Sequence, residues 1–235
     1  MTTNQISLKP TAIVRVLGLL ALLLILASMA GQAALLAFEH EYVEDLANLV
    51  YVNSERNFPT YYSVLLMLYA ALLLSVIAIA SAQHSAPDVS KWAVLSFGFV
   101  FMAFDEGFQF HERFNLPVRA LLGDGNLGVL HYAWVVPGAA LVLVLAIFFM
   151  GFLWRLPVPT RRTFLIAGML YIGGAIGTEL FGGRYAELHG NENWTYSMLA
   201  TLEESLEMAG LIVFISGLLQ HCAAHYPEVR FRFER

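Results

Sequence analysis

Acidic side chains interrupt two apolar stretches of this chain, where charged groups are not expected. The first interruption lies in residues 104–114, FDEGFQFHERF, and contributes Asp105, Glu106, His111 and Glu112. The second lies in residues 203–207, EESLE, and contributes Glu203, Glu204 and Glu207. A charged side chain at the centre of a bilayer costs about 2.5–3.5 kcal/mol on insertion scales, so several of them together indicate a buried polar site.

These residue types can bind either protons or a metal ion. Buried carboxylates without a basic partner take up protons or bind a cation. Carboxylates and imidazole projecting inward from several helices also form the di-iron and di-manganese sites of helical bundles. Carboxylate oxygens suit hard cations, and an imidazole shifts the preference toward Fe, Mn or Zn over Ca or Mg. The ferritin-type E-x-x-H pair is absent.

The composition is that of a protein embedded in lipid. Of its 235 residues, 58% are hydrophobic and 13% are charged, against about 25% charged in soluble domains. No basic stripe is present that could bind a nucleic acid. A single cysteine, Cys222, excludes a cysteine-based metal cluster.

The hydropathy pattern predicts an all-α, polytopic membrane helical bundle in which residues 1–235 form a single integral membrane domain. About 20 apolar residues span a bilayer as a helix, and six stretches qualify: residues 12–38, 60–82, 91–112, 129–154, 163–184 and 197–221. We expect Pro137 to kink the fourth span. Residues 39–59 form an external amphipathic segment, and the first span is predicted to be retained rather than cleaved as a signal peptide.

The distribution of Lys and Arg predicts that both termini are cytoplasmic. With six spans, the richer side holds Lys9, Arg15, Lys91, Arg155, Arg161, Arg162, Arg230, Arg232 and Arg235. The other side holds Arg56, Arg113, Arg119 and Arg184. Most acids lie on that second side, in outer loops or in the outer parts of the helices. The tail, residues 229–233, alternates base and aromatic, as in contacts with anionic lipid.

Helix geometry predicts that acids of three spans lie at one height. At a rise of about 1.5 Å per residue, Glu106, Glu179, Glu203 and Glu207 lie roughly 20–25 Å from the cytoplasmic ends of their spans. Glu203, Glu204 and Glu207 share one arc of about 100° on the last span. His111 falls outside the arc of its acidic neighbours, and it joins them only if the final turn of the helix loosens.

We therefore expect a metal site in the outer leaflet with Glu106, Glu179, Glu203 and Glu207 as first ligands. Asp105, His111, Glu112 and Glu204 are expected to complete or orient the ligand set. The structural alternatives are that each intramembrane Glu only forms a hydrogen bond with a neighbouring helix, and that Glu112 belongs to a solvated rim.

Three function classes stay open: a metal-binding protein or membrane metalloenzyme, a proton- or cation-coupled transporter, and an accessory subunit of a larger complex or homo-oligomer. A transporter needs polar groups that continue across the membrane, but the inner parts of spans three, five and six (residues 93–101, 164–173 and 211–219) contain no acid, base or histidine, and their serines are Ser96 and Ser216. An accessory subunit would pack through small residues such as Gly168, Gly173, Gly174 and Gly177. Histidine-box, G-x-S-x-G and H-E-x-x-H motifs are absent.

Several motifs together resemble those of a family of small bacterial multi-pass inner-membrane proteins. They are D-E-x4-H-E at residues 105–112, N-F-P-T-Y-Y-S at 57–63, G-x-E at 177–179 and E-E-S-L-E-M-A-G at 203–210. The resemblance covers most of residues 12–221. It implies a bacterial inner membrane setting and transfers no catalytic assignment.

Overall fold

The computed structural model describes residues 9–37, 41–123 and 125–226, and these residues contain helices and turns but no strand. The α-helices are α1 (Pro10–Ala37), α2 (Glu41–Asn48), α3 (Phe58–Gln83), α4 (Val89–Phe108), α5 (Asn115–Leu122), α6 (Val135–Arg155), α7 (Val158–Ile172), α8 (Glu179–His189) and α9 (Trp194–His225). Short 3-10 turns occupy Glu112–Phe114 and Gly128–Leu130. A π-helical segment, Gly173–Thr178, joins α7 directly to α8.

The lengths and compositions of the helices are those of a multi-pass membrane protein. Five units are long and apolar enough to cross a bilayer: α1, α3, α6, the continuous stretch from α7 to α8, and α9. A sixth crossing is counted if α4 and Glu112–Leu122, which meet at a bend of 70°, form one span. The all-helical class predicted from the sequence is therefore confirmed, with five or six spanning helices.

Helix α9 lies at the centre of the bundle and packs against α1, α3 and α7. Its fully buried apolar side chains include Met208, Ile215 and Leu218. Gly210 lets α7 approach closely, because a Cβ atom built there would lie 2.8 Å from the Tyr171 nitrogen and 2.9 Å from the Ala167 oxygen. The contact between α7 and α9 is thus tightly packed on the side of the acidic residues that leads toward the C-terminus of α9.

Helix α6 is attached to the bundle mainly at its two ends. At one end Phe152 packs edge-on against Trp92, with ring centroids 4.9 Å apart, and Arg155 donates a 2.9 Å hydrogen bond to Asp88. From Ala139 to Phe148 every side chain is exposed except Val142, which is partly buried. This apolar surface is typical of a helix that faces lipid on most sides.

The structure shortens two of the predicted spans, and it lengthens the fifth to Val158–His189 and the sixth to Trp194–His225. Helix α4 ends at Phe108 rather than near Glu112, because Gln109 adopts a left-handed conformation with φ of 55°. Helix α6 begins at Val135 rather than Val129, which places Pro137 in its first turn. The kink expected at Pro137 has no physical cause there, since the first N–H groups of a helix lack intrahelical partners anyway.

The external segment predicted at residues 39–59 is helical from Glu41 to Asn48 and continues as turns. Ala47 of this helix packs on Gly31 of α1, where a built Cβ atom would lie 3.3 Å from Ala47 Cβ. Tyr42 and Leu46 are exposed. Residues 38–40 and the basic, aromatic tail at 229–235 lie outside the described residues.

Candidate acidic site

The π-helical segment places Glu179 against α9. It reads GGAIGT and widens the helix immediately before Glu179. Gly174 lies so close to α9 that a Cβ atom built there would be 2.9 Å from Glu207 Cγ and 3.0 Å from the Glu203 carbonyl oxygen. Single-turn π segments inside α-helices occur frequently at functional sites. Here the segment brings two helices together where both carry carboxyl groups.

Glu203 and Glu207 of α9 both contact groups on the facing helix. The carboxyl groups of Glu203 and Glu179 interact directly with each other. The Tyr171 hydroxyl interacts with the Glu207 carboxyl group. Because residues four apart share a helix face, the spacing of Glu203 and Glu207 directs both toward α7 and α8.

Glu204 of α9 and Glu106 of α4 interact with each other only electrostatically. The Glu204 carboxyl group interacts electrostatically with Glu106 and Glu179, and Glu207 interacts with Glu204 and Glu106. Within the described residues, neither the Glu106 nor the Glu204 side chain has a hydrogen-bond partner. These two carboxyl groups are therefore free to bind something that the chain itself does not supply.

The break after α4 brings His111 to the acids. Asp105 accepts two hydrogen bonds across the turn, 2.9 Å from the His111 backbone nitrogen and 2.8 Å from its Nδ1. The left-handed Gln109 makes this fold-back possible. His111 consequently interacts electrostatically with Glu106 and Glu179. The final turn does loosen, which was the condition for His111 to approach the acids.

Trp134 closes the site from the α6 side. Its indole Nε1 donates a 2.9 Å hydrogen bond to Glu179 Oε1, and its ring lies 4.7 Å from that of His111, centroid to centroid. The Tyr132 and Tyr196 hydroxyl groups share a 2.7 Å hydrogen bond beside Glu179 and Glu203. Sequence analysis missed Trp134 and Tyr171. The available signal for Tyr171 was a phenol in the middle of a span, which needs a polar partner when buried.

We call Asp105, Glu106, His111, Glu179, Glu203, Glu204 and Glu207 the acidic cluster. Glu112, the remaining predicted ligand, is exposed in the 3-10 turn and interacts with Glu55 at the rim. The two arginines closest in sequence do not neutralise the cluster, because Arg113 lies over the Phe110 ring and Arg184 bonds Glu187. Among the described residues, no ion pair joins a Lys or Arg to a cluster carboxylate.

The side chains of the cluster are not arranged as a finished coordination shell. Among the described residues, no group of three or more His, Cys, Asp or Glu side chains is positioned to hold a metal ion. Asp105 and His111 are bonded to each other, and Glu179 is held by Trp134. Binding of a metal would therefore require some of these side chains to rotate.

The chain also matches a family defined by sequence. The family described as Domain of unknown function (DUF8692) matches residues 16–222. This chain belongs to that family. No curated protein and no solved structure matches this chain. The range shared with the DUF8692 family contains the whole acidic cluster and all but the last three residues of the helices that carry it, and the description assigns no activity to them.

Proposed function

We propose that this member of the DUF8692 family binds a divalent metal ion in the acidic cluster. The observation that carries the proposal is the gathering of six carboxyl groups and one imidazole, to which no lysine or arginine of the described residues is paired. They come from α4, the turn after it, α8 and α9. Glu106, Glu179, Glu203 and Glu207 would supply the first ligands, and Asp105, Glu204 and His111 would complete or orient them, with Glu112 at the rim.

The electrostatics of the cluster require positive charge from elsewhere. Two carboxylates about 6 Å apart repel by roughly 3 kcal/mol at an effective dielectric constant of 20. Glu106, Glu204 and Glu207 each interact with at least two other acids. Full ionisation of all six groups would therefore cost an energy comparable with a domain's usual margin of stability, which is about 5–15 kcal/mol. Either protons or a cation must offset this repulsion.

The donor set fits a transition metal better than calcium or magnesium. Carboxylate oxygens dominate, and His111 adds one nitrogen donor, which favours Fe, Mn or Zn. The unpartnered Glu106 and Glu204 carboxyl groups are the donors that need least rearrangement. A metal held there would supply Lewis-acid or redox chemistry to a substrate.

A one-sided site is supported by the apolar packing beyond it. Buried Leu211, Ile215 and Leu218 continue α9 away from the cluster, together with Phe164 and Trp92 from neighbouring helices. A transported ion would need polar groups along that route. We therefore place binding ahead of conduction. In the proposed setting, a bacterial inner membrane with cytoplasmic termini, the cluster opens toward the periplasm.

Proton-coupled transport is the second candidate, and one contact favours it. The carboxyl groups of Glu179 and Glu203 interact with each other, and two ionised carboxylates do so only with a cation between them. A shared proton makes such a pair favourable, as in the carboxylate dyads of aspartic proteases. Metal and protons would compete for the same oxygens, because carboxylate ligands must be deprotonated to bind a metal.

The test is metal analysis of the detergent-purified protein beside two variants. Glu203→Gln/Glu207→Gln removes two proposed ligands with little change in shape, and Glu192→Gln removes an exposed carboxylate outside the cluster as the matched control. After equilibration with Mn, Fe or Zn and removal of loose ions, we expect bound metal in the wild type and in Glu192→Gln. We expect the double variant to have lost it.

The pH dependence of binding provides a second readout. Retained metal should decrease as the pH falls, since protons displace it from the carboxylates. A folded wild type that retains none of the three metals at neutral pH would contradict metal binding. Proton flux into liposomes that the double variant lacks would then support the transport candidate.

A further inference from the structure

A second cavity, different in chemistry from the acidic cluster, lies on the exposed side of the α3–α4 pair. It is a groove with a volume of about 340 Å³, within the usual range of about 300–1,000 Å³ for small-ligand pockets. Its walls are almost entirely apolar and include Tyr61 and Leu68 from α3 and Phe104 and Phe108 from α4. The absence of a side chain at Gly107 deepens it, because a Cβ atom there would contact only Val64, at 3.9 Å.

One cationic side chain lines this apolar groove. Arg56 borders it directly before α3. Within the part of the chain that the structure describes, Arg56 forms no ion pair and no hydrogen bond. A guanidinium group presents paired N–H donors that match a phosphate or carboxylate. An apolar groove bordered by a free guanidinium fits a hydrocarbon chain attached to an anionic group.

The loop that carries Arg56 is built rigidly. Asn57 is buried, and its Nδ2 donates to the backbone oxygens of Asn48 at 2.9 Å and Tyr51 at 2.6 Å. Its Oδ1 accepts from the Thr60 nitrogen and caps α3. Arg56 itself adopts a left-handed conformation with φ of 57°, which is uncommon outside glycine. The guanidinium group is therefore attached to a fixed backbone position, so less conformational freedom is lost when it binds a ligand.

Acidic side chains just before α3 and just after α4 restrict which headgroup fits. Glu55 precedes Arg56, and Glu112 follows Phe108 by one turn; the Glu55 and Glu112 carboxyl groups interact with each other. A net anionic headgroup would be repelled by this pair. A zwitterionic headgroup with a phosphate and a primary ammonium would satisfy both charges, with the phosphate toward Arg56 and the ammonium toward the two acids.

We propose that the α3–α4 groove is a binding site for a phospholipid with an ethanolamine-type headgroup. One acyl chain lies along Tyr61, Leu68 and Phe104, and the phosphate pairs with Arg56. Of the residues assigned to this site, only Glu112 also borders the acidic cluster, and the pairing of the phosphate with Arg56 does not depend on metal binding there.

Native mass spectrometry of the full chain, released from detergent and titrated with single lipids, tests the proposal. We compare phosphatidylethanolamine with phosphatidylglycerol of the same acyl chains. One phosphatidylethanolamine should remain bound per chain, and phosphatidylglycerol should be retained less. Arg56→Gln removes the cation, and Gly107→Leu fills the groove without changing charge. Arg56→Gln should weaken retention about tenfold or more, which is the usual scale for losing a charge-assisted contact. Gly107→Leu should also weaken retention, because the added side chain occupies the space of the acyl chain.

Arg162→Gln is the matched control, because it removes an exposed arginine at the start of α7, the opposite end of the bundle. It should retain the lipid as the wild type does. Melting curves show whether each variant is folded, and Arg56→Gln alone decides the outcome if Gly107→Leu is not. Three results would overturn the proposal: no retained lipid, preference for phosphatidylglycerol, or retention that Arg56→Gln leaves unchanged.

Discussion

The substitution Gly174→Ala tests whether the π-helical segment really lies against α9. The added Cβ atom would be 2.9 Å from Glu207 Cγ, 3.0 Å from the Glu203 oxygen and 3.2 Å from the Glu207 nitrogen. Ordinary contacts between carbon atoms are about 3.5–4.0 Å. Since two of the three atoms belong to the α9 backbone, rotating a side chain cannot relieve the overlap. The helices must separate by about half an ångström.

The expected magnitude follows from two opposing effects. Overpacking of a tight contact costs about 1–3 kcal/mol, whereas replacing Gly by Ala in a helix gains up to about 1 kcal/mol. We expect Gly174→Ala to lower the free energy of unfolding by about 1 kcal/mol. The separation would also move Glu203 and Glu207 away from Glu179, and so weaken metal retention.

Gly173→Ala is the matched control in the same segment. A Cβ atom at Gly173 would have nothing within 4 Å, so only the gain in helix propensity remains. The two variants should therefore differ by about 1–3 kcal/mol. The measurement is reversible unfolding in mixed micelles, with metal retention as a second readout. If Gly174→Ala is as stable as Gly173→Ala, the close approach of the π segment to α9 is refuted.

Two further predictions concern the ends of α4. Asp105→Ala removes both hydrogen bonds to His111 and should cost about 1–3 kcal/mol; hydrogen exchange of the amides after Phe108 should become faster. At the other end, the Arg155 guanidinium beside Asp88 holds the pKa of that carboxyl group below its usual 3.8. Because the folded pKa is lowered, the pair contributes stability above the unfolded pKa and loses it as the pH falls through the folded value. Asp88→Asn should therefore lower the melting temperature near neutral pH, with a difference that disappears in acid.

The contradicting outcomes are specific to each end. Unchanged exchange rates after Asp105→Ala would mean that the turn does not depend on the Asp105–His111 contact. A melting difference between wild type and Asp88→Asn that is constant down to pH 2 would exclude the titration of Asp88 as its cause. Arg161→Gln serves as a control at that end, since its guanidinium contacts the Trp154 ring rather than Asp88.

The sequence alone determined the helical class and the helix face that Glu203 and Glu207 share. Apolar runs of about 20 residues specify spans whatever their neighbours are, because the bilayer fixes the length and the backbone must bond internally. The i, i+4 spacing of Glu203 and Glu207 likewise placed both on one face. These features depend only on local geometry, which residue spacing encodes directly.

The tertiary structure decided which groups face the acids. His111 reaches the cluster because the helix stops at Phe108 and Asp105 bonds back across the turn, and apolar periodicity continues past that point without a sign of the break. Trp134 meets Glu179 because α6 is docked at that end, a contact between residues 45 positions apart. The Trp134–Glu179 contact follows from how the helices pack. The Asp105–His111 contact follows from the place where a side-chain hydrogen bond replaces the backbone hydrogen bonds of the helix. Spacing along one helix carries no information about the residue that faces it from another.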